Sequence, residues 1–176
     1  MSDVSIPPII LRYTGPFDYE LVYSSLVSWA KNYGYFWYET GYKHKVPSPS
    51  GAEQEYSWKA EKNVTEYVKY EVKIELHTWD TREMEVLVNG KKKMMADGRL
   101  EFTINGKAYL DWQKKFGQGK FSQWLGKIYQ KMYSKNIEGV YVDTLYYRIW
   151  DLQAMLKKLL DLQTKKHAYK GYLKES

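Results

Sequence analysis

Cysteine is absent from this chain, which removes disulfides, thiolate metal sites and cysteine nucleophiles together. Histidine is scarce. His44, His77 and His167 are the whole set, none has a partner at ligand spacing, and no metal site is expected. No apolar run approaches the ~20 residues that cross a bilayer, and Met1-Ser2-Asp3 does not open a basic segment with an apolar stretch behind it. The expectation is a cytoplasmic protein without a membrane anchor.

The signatures of catalysis are also missing. Ser24, Ser25 and Ser28 lie close together, but no Gly-x-Ser-x-Gly surrounds them, and they read as part of a helix. Gly117-Gln118-Gly119, followed by Lys120, precedes a helical pattern where a phosphate could bind. It lacks both a third glycine and the Gly-Lys-Ser/Thr ending of a phosphate loop. Glu53 and Glu55, like Glu71 and Glu75, alternate with lysines, as on a solvated sheet face with cross-strand ion pairs. Asp143, Asp151 and Asp161 recur along a helix and read as outward. An acid–base pair needs one carboxyl held inside, and nothing in the pattern puts one there. We assign no catalytic residue and no cofactor, and expect a non-enzymatic protein.

Acidic residues run short in one region only. Residues 1–90 hold 9 basic and 13 acidic side chains, net −4, whereas residues 91–136 hold 11 and 3, net +8. Residues 137–176 add 7 and 5, net +2. The basic excess is Lys91, Lys92, Lys93, Arg99, Lys107, Lys114, Lys115, Lys120, Lys127, Lys131 and Lys135. Such a local excess suits an acidic macromolecule. Tyr109, Trp112, Phe116, Tyr129 and Tyr133 interleave with it, and aromatic faces can stack on unpaired bases. Trp112, Phe116 and Tyr129 read more readily as core. The expected partner is structured RNA or a ribonucleoprotein such as the ribosome.

Two long alternations organise the fold. Val68, Tyr70, Val72, Ile74 and Leu76 alternate with Lys69, Glu71, Lys73, Glu75 and His77, the period of a half-buried strand. Leu100, Phe102, Ile104, Gly106, Ala108, Leu110 and Trp112 form a second apolar face. A two-residue hairpin at Asn105-Gly106 would mix that face with Lys107, Tyr109 and Asp111, so Gly106 is read as a bulge or bend inside one strand. Asn89-Gly90 and Asp97-Gly98 remain hairpin candidates. Ile6 to Tyr13 reads as a first strand confined to an edge by Pro7 and Pro8, and Thr14-Gly15-Pro16 as a turn.

Asp18 reads as the N-cap of a helix with Leu21, Val22, Ser25, Leu26, Trp29 and Tyr33 on one face, ended by Gly34. Tyr35 to Tyr38 then reads as a strand covered on both sides at its start, and Val46 to Gly51 as a loop. Tyr56, Trp58 and Ala60 mark the next strand, Trp79-Asp80-Thr81 a further turn, and Met84, Val86 and Val88 another strand. Phe121 to Met132 carries a helical stripe, placing a helix over 117–133. Leu145, Ile149, Leu152, Leu156 and Leu159 carry a final one from about 141 to 165.

The chain therefore reads as one α+β domain over 1–166 with a polar tail over 167–176. A sheet of six to seven antiparallel strands packs on a long C-terminal helix. This order of elements, over roughly residues 6–165, resembles the helix-grip arrangement of the START and polyketide-cyclase superfamily. It departs from that arrangement in having one helix where two are usual and an extra helix before the last. The resemblance implies a curved sheet around the final helix and space for an apolar small molecule between them. A carrier of such a ligand is the alternative function, and 18 tyrosines and 7 tryptophans would suit either a lined cavity or a filled core. Tyr146, Tyr147 and Trp150 widen the apolar arc of the last helix and are the expected oligomer interface, in a symmetric homodimer.

Overall fold

The computed structural model describes residues 2–48, 51–88, 91–110, 112–113 and 138–162. Strand β1 (Ser2–Phe17) leads into helix α1 (Tyr19–Asn32), followed by β2 (Phe36–Ser48), β3 (Gly51–Asn63), β4 (Val68–Val88) and β5 (Lys91–Leu110). A π-helical turn (Glu138–Val142) then enters helix α2 (Asp143–Leu159). The five strands form one open antiparallel sheet in the order β1-β5-β4-β3-β2, so α1 carries the chain from one edge to the other.

Five strands, not six to seven, make the described sheet, because three turn signals lie inside continuous strands. Thr14-Gly15-Pro16 continues β1, with Gly15 opposite Gly98 of β5. Asp97 pairs with Pro16 on one side and Arg82 on the other, so Asp97-Gly98 is mid-strand. Trp79-Asp80-Thr81 is a register shift within β4, where Asp80 takes φ 56° and pairing resumes at Arg82. Glycine and aspartate serve bulges and close approaches as readily as hairpins, and local sequence does not separate the two. Asn89-Gly90 lies outside the described residues; the strands on either side of it pair up to Val88 and Lys91. Pro7 and Pro8 fall in the register shift of the edge strand β1, where their missing N–H groups cost no ladder bond.

One sheet face carries the core. Val72, Ile74 and Leu76 of β4, Phe102, Ile104 and Ala108 of β5, and Trp58 and Ala60 of β3 are buried there. Helix α1 adds Val22, Leu26, Trp29 and Ala30, and α2 adds Leu145, Ile149, Leu152 and Leu156. Asp18 caps α1 as expected, accepting from the Leu21 N–H at 3.1 Å. Gly34 ends that helix at φ 72°, a conformation open to glycine. Leu21 instead faces outward, and the start of β2 is not covered on both sides: Phe36 is 69 % exposed and Tyr38 about half. As the edge strand opposite β1, β2 has no neighbour to bury them.

Gly106 is the continuous-strand residue the alternation required, and α2 explains its identity. A Cβ built there would lie 2.2 Å from Ile149 Cδ1 and 3.4 Å from Ile6 Cδ1. The helix therefore seats directly on β5, with Ile149 in the space a side chain would take. Overpacking at such a site costs about 1–3 kcal/mol. Gly106→Ala is expected to lower urea stability by that amount, and Ile149→Val, which removes the clashing methyl, to restore much of it. Equal stability of Gly106→Ala and wild type in equilibrium urea unfolding would contradict this packing.

Candidate nucleic-acid interface

The solvent-side face of the sheet is a lattice of opposite charges. Lys43, Glu55, His77, Glu101 and Arg12 are cross-strand neighbours in a single row. Arg12 reaches Glu101 at 2.6 Å and Lys43 reaches Glu55 at 3.3 Å. Lys59 lies between Glu61 and Glu71, 2.7 Å from each, and those bonds hold its ammonium pKa above the usual lysine value. Lys69 adds a second contact to Glu61 at 2.9 Å. Strand alternation sends every second residue to this side, and the register sets Lys43 opposite Glu55 and Lys45 opposite Glu53. Lys59 instead faces Lys73 and Glu61 faces Glu71, and there the ion pairs run diagonally, as Lys59–Glu71 and Lys69–Glu61 do. The expectation of cross-strand ion pairs is met.

Among the described residues, the closest approach to a metal-ligand set is on this face. Glu53, Glu55 and His77 bring their ligand atoms within 4.8 Å of one another. Lys45 already supplies a cation there, 2.5 Å from Glu53 and 3.3 Å from Glu55, and with His77 it holds the Glu53 carboxyl below its ordinary pKa.

The candidate basic residues divide into two groups. Lys114, Lys115, Lys120, Lys127, Lys131 and Lys135 lie outside the described residues, as do Gly117–Gly119, His167 and the expected helix over 117–133. Lys91, Lys92, Lys93, Arg99 and Lys107 all lie on β5. Among these, Arg99 donates twice to Asp80, at 2.9 Å from Nε and 2.5 Å from Nη2, and Lys107 stands 3.4 Å from Asp3. Lys92 meets Glu85 at 2.8 Å, and Lys93 pairs with Asp18. Three of these acids, Asp3, Asp18 and Asp80, belong to segments remote in sequence, which is why a scarcity of nearby acids concealed them.

The end of β5 that bears the three consecutive lysines leaves the body of the sheet. Pairing of β1 with β5 stops at Phe17 and Ala96, and pairing of β3 with β4 begins at Ala52 and Thr81. Beyond those points residues 84–88 and 91–95 pair only with each other. They form a two-stranded ribbon about 17 Å long at ~3.3 Å per residue. A ribbon of two strands is marginal alone, and the Lys93–Asp18 pair ties this one to the start of α1.

The aromatic set on α2 is only partly free. Tyr147 is 64 % exposed and Trp150 about half, whereas Tyr146 is half-buried against the core. Trp150 meets both tyrosines edge-on, with ring centroids 4.5 Å from Tyr146 and 5.9 Å from Tyr147.

Two open grooves flank α1 among the described residues. One of about 690 Å³ lies against β2, lined by Tyr23, Val27, Tyr35, Phe36 and Trp37. The other, of about 440 Å³, lies against α2 and contains the serine cluster. No described helix is long and apolar enough to cross a membrane.

Asp18 has two tasks, capping α1 and anchoring the ribbon. Burial raises its pKa, but the Lys93 ammonium and the Leu21 N–H outweigh that and leave it below the ordinary 3.8. A depressed carboxyl contributes stability that is present above the unfolded-state value and is lost as pH falls through the folded one. Asp18→Ala, which loses cap and anchor, is expected to cost about 1–2 kcal/mol near neutral pH. Asp18→Asn keeps a capping oxygen and loses only the charge. Its deficit against wild type in urea unfolding is expected at pH 7 and to shrink as pH drops below about 4; a deficit independent of pH would remove the ion pair from this account. Compared with protein-family models the chain matches none, and no curated protein is similar to it.

Proposed function

We propose that this chain is a non-enzymatic binding protein that docks on structured RNA or a ribonucleoprotein such as the ribosome. The observation that carries the reading is the ribbon of residues 84–88 and 91–95, which takes Lys91, Lys92 and Lys93 beyond the body of the sheet. A two-stranded ribbon is narrow enough to enter a wide nucleic-acid groove, and in RNA such openings occur at bulges and loops. Lysine ammonium groups meeting phosphates there give affinity without sequence selection.

The acids already paired with these lysines set their ranking. Lys92 is 72 % exposed and its partner Glu85 half-exposed, and exposed pairs are worth about 0–1 kcal/mol. A phosphate can displace Glu85 at little cost. Lys93 differs because its partner Asp18 is only 11 % exposed, so Lys93 serves the ribbon's attachment first. Lys92 is the main phosphate contact in this reading, with Lys91, Arg99, Lys107 and the lysines over 114–135 extending the footprint.

The helix-grip resemblance is supported by α1 bridging the two sheet edges and by α2 seated on β5. The carrier function it implies is less favoured, since Ile149 fills the middle of the space between sheet and terminal helix. A homodimer through Tyr147 and Trp150 is compatible with RNA docking, because these residues lie on α2 and the ribbon does not.

Fluorescence titration of a labelled RNA hairpin at about 50 and about 200 mM salt tests the proposal. Binding is expected at the lower salt and at least tenfold weaker binding at the higher. Lys91/Lys92/Lys93→Glu is expected to abolish most of it, and Lys91/Lys92→Glu, which spares the Asp18 anchor, to lower both affinity and salt slope. No binding at the lower salt, or titrations indifferent to both variants, would refute the proposal.

A further inference from the structure

Strand β2 is the border of the sheet nearest helix α1. It pairs with β3 on one side, and no described strand lies on the other. Phe36 to Glu39 pair in unbroken register with Glu61 to Trp58, ahead of the register shift between Glu39 and Gly41. A border strand directs a row of backbone N–H and C=O groups outward, a template that another extended backbone completes.

Beside this row lies the groove of about 690 Å³, walled by Tyr23 and Val27 of α1 and by Phe36 and Trp37 of β2. Trp37 is turned toward α1, where its ring stacks on Trp58 and meets Tyr23 edge-on. In an added strand, the residue set opposite Trp37 shares its face of the sheet. Its side chain is therefore directed to the α1 side, where the groove lies and has room for a large apolar group.

Charge decides which way such a strand runs. Lys31, in the last turn of α1, is exposed, lines the groove where the helix ends and β2 begins, and has no ion pair among the described residues. The last carbonyls of α1, at Trp29, Ala30 and Lys31, accept the N–H groups of Tyr33, Tyr35 and Gly34, so the Lys31 ammonium is not needed to satisfy them. Lys62 sets a second ammonium at the same end, 2.6 Å from the Tyr33 carbonyl oxygen. At the far end of the stretch stands a carboxylate, Glu39, which accepts the Tyr23 hydroxyl. A strand antiparallel to β2 brings its C-terminus to Lys31 and away from Glu39, whereas a parallel one does the reverse. A second copy of this stretch has no free carboxylate to offer Lys31, because Glu39 is its one acid and is already bonded.

We propose that β2 and the adjoining groove bind the C-terminal end of another protein. The bound segment pairs antiparallel to β2, seats a large apolar side chain, one residue from its end, between Val27 and Trp37, and places its terminal carboxylate at Lys31. The site uses no part of the ribbon and stands or falls independently of RNA docking.

Fluorescence anisotropy on the full chain tests this with the dye-labelled pentapeptide Thr-Val-Thr-Phe-Val. The free acid is expected to bind saturably, and the C-terminal amide about three- to fivefold more weakly, as suits an exposed charge pair. Lys31→Gln, at an exposed position, is expected to weaken binding of the acid by the same factor and to leave the amide unchanged. Serine in place of the probe's phenylalanine is expected to weaken binding at least about tenfold. Alternate N–H groups of a strand face its neighbour, so N-methylation at one of two successive central residues is expected to abolish binding and at the other to spare it. No binding at about 1 mM peptide, acid and amide bound alike, or equal effects of the two N-methyl groups would overturn the assignment. So would concentration-dependent dimerisation in light scattering that Phe36→Lys abolishes, which would give this border to a second copy.

Discussion

The direct seating of α2 on β5 is the constraint from which the rest of the fold follows. Gly106 gives up its side chain and Ile149 takes the space, so the helix seats closer to β5 than any residue with a Cβ at 106 would let it. With the helix fixed there, Leu145, Leu152 and Leu156 are carried into the same layer, and Tyr70 reaches the Tyr141 carbonyl at 2.6 Å. Helix α1 must then lie beside α2, as its crossing from the β1 edge to the β2 edge also demands. The groove between the helices is a consequence of that arrangement. Its α1 wall carries serines and asparagine, whose short side chains leave the space open.

The two sheet faces divide the work. The covered face sets the register, because a slip of one residue would expose Ile74, Phe102 and their neighbours. The open face reinforces that register through pairing of lysine and glutamate. Individually such exposed pairs contribute little. Their effect is cumulative, and it runs along diagonals as well as directly across strands, since the register itself sets Lys59 opposite Lys73 and Glu61 opposite Glu71. The ribbon has neither kind of support along most of its length, and its attachment to Asp18 ties strand geometry to the start of α1.

Much of this was legible in the sequence, and the exceptions have a common cause. The alternation of residues 68–76 and 100–110 located the central strands, because a half-covered sheet imposes a period of two. Asp18 and Gly34 marked the ends of α1 through chemistry that is local to each residue. The reading of Gly106 succeeded because side-chain register, a longer-range test, was applied to it. Asp97-Gly98 and Thr14-Gly15-Pro16 were misread as turns when only their composition was considered. Opposed across β1 and β5, these segments reveal themselves as strand only once the pairing is known. The aromatics at Phe36 and Tyr38 suggested a covered strand, but burial depends on neighbours and β2 is at an edge. For the candidate interface, the run of three lysines was plain, whereas the acids that hold Lys93, Arg99 and Lys107 come from distant segments. The projection of the ribbon was likewise invisible, since it depends on where β1 and β3 stop pairing.

The two borders of the sheet are unequal. Along β1 the prolines interrupt the row of donors, while β2 presents Phe36, Tyr38 and Tyr42 beside a backbone with no neighbour. A sheet with two receptive borders can add copies without limit and grow into a fibre. A sheet with one can add a single copy, after which the receptive border is consumed. The proline pair thus acts as a chain terminator: if strands from separate molecules ever join through β2, growth ends at two.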